Sequence, residues 1–456
     1  MNVHLAFILI YSVAQILLGV VIGRWVKTTG AFFVAGRNLS PMLLFATLLA
    51  ANIGAGSTVG AAALGYRNGL SAWWWVGSAG IGTFALAFWV GPKIRKVAKE
   101  HDLQTMGDFL ELRYGGTVRG MVSSLLWVAT LFVLAAQLIA VARVLEAVAG
   151  VPKTWGALIG GVVITAYFTA GGLLSSAWVN LVQLVVLYLG FLLALPVALA
   201  SIGGFDGVRD LGAAVGGTYL DPWVGGARYL ALLGPAFIVS PGLIQKVYGA
   251  RDERTVRLAV SLCAVALLIF AWIPPLLGMA ARAHFPDLAS PDLALPTLLV
   301  ARMPLFLGTL GLAAIFSAEV SSADAALFML STSLSRDLYR RFLRPEASDA
   351  SVLRMARLSA GAGGAIGVVI ALLFQTVIDT LTIFYSILSV SLFVPVIAGL
   401  HYRRTGAAEA LAAIGFGVTT LLAVQLRTGG HGYGIWTPTL LGMAVSAVAF
   451  VLVRRR

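Results

Sequence analysis

The stretch Ala50-Ala51-Asn52-Ile53-Gly54-Ala55-Gly56-Ser57-Thr58 lies inside an otherwise apolar run from residue 41 to 66. Two glycines and several small polar residues near the middle of such a run read as a helix that unwinds for about one turn and presents carbonyl oxygens. Unpaired backbone in hydrocarbon is tolerated only where it lines a site or is buried in protein. A second run, 226 to 248, carries Gly234-Pro235 and then Ser240-Pro241-Gly242. Each proline removes a backbone donor and frees a carbonyl. The competing reading of either break taken alone is close helix packing, since glycine and proline are commoner in membrane helices.

The rest of the chain supplies the bilayer that this reading needs. Of 456 residues, 59% are hydrophobic and 11% charged, well outside the composition of soluble domains. Apolar stretches of roughly 20 residues, each long enough for a hydrocarbon core of about 30 Å, recur at 4–25, 41–66, 70–92, 118–148, 154–171, 175–202, 226–248, 255–282, 303–337, 353–375, 377–401, 405–426 and 436–453. The expectation is an all-α polytopic membrane protein of about 13 transmembrane helices in a single domain over 1–456. The 303–337 stretch is long enough to begin with a separate short segment. No loop is long enough to be a soluble domain. The first run lacks a basic flank before it and is followed by Arg24 and Lys27, so it reads as a helix rather than a cleaved leader. Cys263 is the only cysteine; it forms no intrachain disulfide or cysteine metal site and reads as packing.

The net charge of +13 points to nucleic acid only until the charges are placed. Running the helices alternately across the membrane from an outside N terminus puts 24 of the 32 lysines and arginines on one side, Lys246 among them. That side is the cytoplasm by the positive-inside rule, and the C terminus is then inside. An inner (plasma) membrane of a bacterium or archaeon fits the short loops. Partners are the lipid bilayer and a small solute, not nucleic acid. The chain has no Gly-x-x-x-x-Gly-Lys-Ser/Thr, which excludes a P-loop nucleotide site, and its five histidines stand at segment ends or in loops without a His-x-x-x-His pair. An enzyme is therefore not expected.

The two broken runs head two sets of five helices, 41–202 and 226–401, which the charge-derived topology threads in opposite directions. One extra helix precedes them (4–25) and two follow (405–453). Broken first helices in corresponding positions of inverted halves place solute and ion sites near the bilayer midplane. Farther along, Ala318, Ser321 and Ser322 follow i, i+3, i+4 spacing and share a helix face. A carbonyl and two hydroxyls there, added to carbonyls of the first break, make about five neutral oxygens of the kind that suits sodium. Adjacent serines on a membrane helix are also a common packing and backbone-bonding feature.

Several motifs carry a resemblance over nearly the whole chain. Ala35-Gly36-Arg37, Ala50-Ala51-Asn52-Ile53, Thr105-Met106-Gly107-Asp108-Phe109 with Arg113-Tyr114-Gly115, Gly171-Gly172-Leu173 with Trp178 and Gln183, and Asp337-Leu338-Tyr339 resemble the sodium:solute symporters. The resemblance implies a LeuT-type 5+5 inverted repeat and a sodium-coupled secondary active transporter working by alternating access. It also implies a sodium site made by the carbonyls of Ala50, Ile53 and Ala318 and the hydroxyls of Ser321 and Ser322. Where relatives often have Trp-Thr-Asp, this chain has Trp178-Val179-Asn180, so a second sodium site of the usual form loses its carboxylate. Asp324, about 60° around the helix from Ser321, could restore that charge with Asn180 nearby, or form a structural pair with a basic residue. Glu319, about 140° from Asp324, reads as structural and turned away from the site.

Location in that fold suggests Ser57, Trp74, Gln137, Phe237, Ser240 and Tyr385 as solute-contacting residues, with packed or lipid-facing roles as the alternative for each. Few charges on the cavity-facing stretches favour a small solute such as an amino acid or carboxylate. The expected unit is a monomer. A proton-coupled carrier of the same fold using Asp324, a solute-binding sensor and a channel remain as alternatives.

Overall fold

The computed structural model describes residues 3–23, 37–168, 173–402 and 405–454. Of the sequence features above, Arg24, Lys27, Ala35, Gly36, Gly171, Gly172, Arg403, Arg404, Arg455 and Arg456 lie outside them, as does the side chain of Trp178.

Helix α1 spans Val3–Gly23. The first broken run becomes α2 (Pro41–Asn52), a π-helical turn (Gly56–Gly60) and α3 (Ala61–Asn68). Then come α4 (Trp73–Ala85), α5 (Gly91–Glu100), α6 (Met106–Tyr114) and the 34-residue α7 (Gly116–Ala149). Helices α8 (Lys153–Phe168), α9 (Leu173–Ala200) and α10 (Gly204–Val215) follow. The second broken run becomes α11 (Gly226–Val239) and α12 (Pro241–Tyr248). Beyond it lie α13 (Glu253–Phe270), α14 (Ile273–His284), α15 (Ala294–Arg302) and α16 (Leu305–Thr332). The chain closes with α17 (Asp349–Leu373), α18 (Val377–His401), α19 (Ala407–Thr428) and α20 (Pro438–Arg454).

Among the described residues, nine helices are long and apolar enough to cross a membrane, and four shorter apolar segments lie at Val3–Gln15, Pro41–Asn52, Lys153–Ala166 and Pro438–Val453. Two sequence expectations need correction. The separate segment expected at the start of 303–337 lies before it, as α15, because Pro304 holds Met303 extended (ψ 148°) and caps α16. Lys246, counted among the charges of the inner membrane surface, is instead buried within α12, which runs on to Tyr248 as the sequence run does.

The family-like motifs build a brace. Thr105 caps α6 through a reciprocal pair with Asp108, and its hydroxyl also donates to Asp337 Oδ1 at 2.7 Å. The buried Arg119 of α7 meets Asp337 at 2.6 Å, Glu111 at 2.7 Å and Asp108 at 2.9 Å. Arg113 donates to Gly399 O and Tyr114 to Pro395 O, fastening α6 to α18. On the opposite flank, Gln183 of α9 donates to Gln15 of α1 at 2.7 Å, and Tyr11 of α1 bonds Ser317 of α16 at 2.6 Å.

Arg119→Ala would leave the buried Asp337 without its guanidinium, which costs about 3 kcal/mol. The expected outcome is a clear drop in the unfolding temperature of the detergent-purified protein. An unchanged melting curve would show that the brace is not needed for stability.

Candidate functional site

Helix α2 ends at Asn52, and Ile53 is extended (φ −103°, ψ 103°). Several polar groups released by this break have an identifiable partner. Ala55 N–H donates to Gln137 Oε1 on α7 at 2.8 Å. The Ser57 hydroxyl donates to Asn52 O at 2.9 Å, and the Thr58 hydroxyl to Gly54 O at 3.0 Å. From α16, the Ser321 hydroxyl donates to Ala50 O at 2.9 Å and the Ser322 hydroxyl to Ile53 O at 3.2 Å. Ser321 Oγ is also 3.0 Å from Ala318 O, and Ser322 Oγ 3.5 Å from Ala50 O.

All five oxygens expected from the sequence, on Ala50, Ile53, Ala318, Ser321 and Ser322, are thus within hydrogen-bond reach of at least one other member. They form a neutral cluster of hard donors that joins two helices. A glycine makes the approach possible: a Cβ at Gly54 would collide with Ser322 Oγ and stand 2.8 Å from Gln137 Oε1.

Glu319 is placed differently from the expectation. It is fully buried, and its Oε1 accepts a 2.9 Å bond from Thr58 in the π-helical turn. Its side chain therefore lies against the same broken helix, beside the five oxygens rather than turned away from them. On α16 Glu319 stands three residues before Ser322, about 60° around the helix from it, so its angle to Asp324 alone did not turn it away from the cluster.

Beside the cluster is a cavity between the two breaks. Ser57, Gln137, Phe237, Ser240 and Tyr385 line it together with Ser322 and Lys246. Trp74 does not line it: the indole donates to Pro222 O at 2.6 Å and rests near Trp223. Its neighbour Trp75 takes the inward position, edge-on to Tyr385 at 6.0 Å, because successive residues on a helix diverge by about 100°. Tyr385 also packs on Phe237 (5.5 Å) and Phe384 (5.1 Å), so aromatic rings wall this part of the cavity. Beyond the breaks, Leu39 N–H donates to Gly249 O at 2.9 Å and Arg37 to Tyr248 O at 3.4 Å, holding the start of α2 to the end of α12, while Arg37 also bonds Asp102 and Leu103 O before α6.

Asn180 is not among the five oxygens; its amide donates to Thr47 Oγ1 of α2 at 3.4 Å. Asp324 is buried on α16. Sequence reasoning missed Lys246 as a cavity residue. The signal was a lysine only five residues after a proline that starts a helix, inside an apolar run.

A model described as "Sodium:solute symporter family" matches residues 32–417. The chain belongs to the sodium:solute symporter family. This symporter is 27% identical to the sodium/pantothenate symporter of Escherichia coli, over 94% of this chain and 92% of that protein. It is 25% identical to the human high affinity choline transporter 1 (88% of this chain, 71% of that protein) and 24% identical to the osmoregulated proline transporter OpuE of Bacillus subtilis (97% and 93%). In three dimensions the symporter is similar to a Na+-coupled sialic acid symporter in an outward-open state, with a TM-score of 0.85, 18% identity and coverage of 100% of this chain and 98% of that one. A nucleobase-cation-symport-1 family transporter in a closed conformation aligns with a TM-score of 0.59, 14% identity and 92% coverage of each chain. The symporter is a multi-pass membrane protein that uses sodium to carry a small solute, and it is not an enzyme.

Gly54→Ala would push the first break away from α16. The sodium concentration that half-maximally stabilises the purified symporter against heat should rise about tenfold or more, since displacing one or two of five ligands removes at least about 1.4 kcal/mol. A variant with the unaltered sodium response would separate the helix contact from ion binding.

Proposed function

We propose that this symporter imports a small solute bearing a carboxylate, together with sodium bound by Ala50, Ile53, Ala318, Ser321 and Ser322. The single observation that carries the reading is the juxtaposition of the five-oxygen cluster and the cavity: Ser322 belongs to both. An ion joining the first break to α16 therefore shapes the wall that a solute would touch.

The carboxylate follows from the cavity's chemistry. The starts of the π-helical turn at Gly56 and of α12 at Pro241 both adjoin it, and helix N-termini favour negative charge. No aspartate or glutamate is among the lining residues, and the only charged one is Lys246. Gln137 Oε1 is engaged by Ala55, which leaves its amide nitrogen to address a solute. Ser57, Ser240 and the aromatic residues Phe237 and Tyr385 would hold the remainder. An amino acid remains within this class. Its ammonium would have to be met by backbone carbonyls of the breaks, since the lining offers no acid.

In this reading the thirteen apolar runs are crossings of an inner membrane, in two inverted sets of five with one helix before and two after. The N terminus is outside and the C terminus inside. A single chain holds one complete pathway. Sodium arriving from outside bridges α2 to α16 and favours the form that accepts solute; loss of sodium on the inner side resets the carrier. Coupling is limited by the difference in sodium affinity between the two forms. A proton-coupled carrier built on the buried Asp324 is the second reading.

Thermal stability against a panel of carboxylates, amino acids, sugars and quaternary amines, each in sodium or potassium chloride, tests the solute class. Stabilisation by a carboxylate in sodium alone is the expected result. Stabilisation by a quaternary amine would overturn the class and point to the aromatic wall as a cation seat. In proteoliposomes, Ser322→Ala should raise the sodium requirement for uptake of that solute about tenfold. Uptake with an unaltered sodium dependence would remove the five-oxygen cluster as the coupling site.

A further inference from the structure

A second cavity, of about 20 Å³, adjoins the solute cavity at Met329, which lines both. The two share their walls. On α7 the wall residues are Ser123, Leu126 and Thr130 in the small cavity and Val133 and Gln137 in the large one, at alternating steps of three and four that keep them on one face. On α16, which packs against α7, the matching face runs Ser322, Ala325, Met329 and Thr332. Gln137 and Ser123 are fourteen residues apart, about 21 Å of helix, whereas half of a hydrocarbon core is about 15 Å. A face that begins at the five-oxygen cluster therefore continues to the membrane surface. Its far part has polar walls. Gln245 of α12 is 3% exposed, and its amide nitrogen has no hydrogen-bond partner among the described residues, a costly arrangement that a passing polar ligand would relieve. Thr105 and Asp337 of the brace close the far end.

We propose that this shared face of α7 and α16 is the route by which the solute leaves for the cytoplasm, and that Met329 is the plug between its two halves. The inference rests on the orientation proposed above, which puts the brace on the inner side. The space for the plug is prepared on α12: a Cβ at Gly242 would stand 2.9 Å from Met329 Sδ, so only a glycine in the first turn of that helix lets the thioether lie across the gap. Methionine suits the task. It is unbranched, turns about three bonds and has no strong hydrogen bond to break, so it can swing aside without leaving a buried polar group unpaired. The small cavity has room for about one water molecule, so the route is shut here both at Met329 and at the brace. A solute that passes Met329 meets Gln245 and Ser123 next, groups that can donate to a carboxylate.

The test uses single cysteines in a Cys263→Ser background, at Ser123 on the brace side of the plug and at Ala325 on the solute side. The probe is the membrane-impermeant anion 2-sulfonatoethyl methanethiosulfonate, applied to inverted vesicles and to intact cells. In potassium chloride both Ser123→Cys and Ala325→Cys should react from the inner side, and sodium chloride should slow both about tenfold by shifting the population away from the inward form. Adding Met329→Ala should speed the reaction at Ala325→Cys about tenfold and leave that at Ser123→Cys unaltered, while Met329→Trp should slow it by a similar factor. A rate at Ala325→Cys that is indifferent to both substitutions would overturn the plug. Reaction at Ala325→Cys from the inner side with Ser123→Cys inert throughout would overturn the route. If Met329→Trp does not fold, the smaller Met329→Ala carries the test alone. Reaction of both cysteines from the outer side only, with the effect of Met329→Ala intact, would keep the plug and refute the orientation instead.

Discussion

A carbonyl released inside a membrane must find a donor or a cation, and the structure depends on how the carbonyls of Ala50 and Ile53 meet this demand. They face Ser321 and Ser322 of α16. Around that contact the remaining groups of the break are satisfied one by one: Ala55 by Gln137, Asn52 by Ser57, Gly54 by Thr58, and Thr58 in turn by Glu319. Gly54 is small because Ser322 occupies the space where a side chain would stand. The partners of the break come from α7, α16 and the turn itself, so a local irregularity on one helix fixes the mutual placement of three elements. In the function proposed above, the same oxygens that stabilise the irregular backbone would hold the sodium ion, so that structural satisfaction and ion recognition draw on one set of atoms.

The motifs that identify the family separate into two kinds. Ala50-Ala51-Asn52-Ile53 lies at the site. Thr105, Asp108, Arg119 and Asp337 lie elsewhere and form a charged brace among α6, α7 and the end of α16. Gln183, another motif residue, binds the extra helix α1. Most of the recognisable sequence therefore specifies how a polar framework is assembled in a lipid-facing protein, where a buried charge without a partner would be costly. This is consistent with relatives described as carriers of pantothenate, choline and proline: a shared framework leaves the cavity lining free to differ.

The cavity has an uneven character. One wall is aromatic, with Phe237, Phe384 and Tyr385 in contact and Trp75 against them. The other holds the helix breaks, Ser322 and, deeper, Lys246. Apolar surface on one side and oriented dipoles on the other suit a solute with an apolar body and a compact polar head, held in one orientation. Lys246 belongs to two neighbourhoods, bordering the cavity and donating to Thr47 of α2, so the solute site and the helix framework share one side chain.

Much of the molecule was legible in the sequence because a bilayer imposes one-dimensional rules. The apolar runs, the two breaks and the i, i+3, i+4 face of Ala318, Ser321 and Ser322 all follow from spacing along the chain, and the structure places helix on each run and all five oxygens together. Spacing could not say which of two adjacent tryptophans turns inward, since Trp74 and Trp75 differ only in what α4 packs against. It left Glu319 turned away because that residue was measured against Asp324 and not against Ser322, which stands only about 60° from it around the helix. It counted Lys246 among the charges of the inner membrane surface, because a positive charge near the end of an apolar run ordinarily marks that surface. The sequence by itself determined the class, the breaks and the five oxygens that meet between α2 and α16. Only the tertiary structure decided which polar groups are buried together, because Thr47, Asn180 and Lys246 are remote in the chain and meet only when three helices pack.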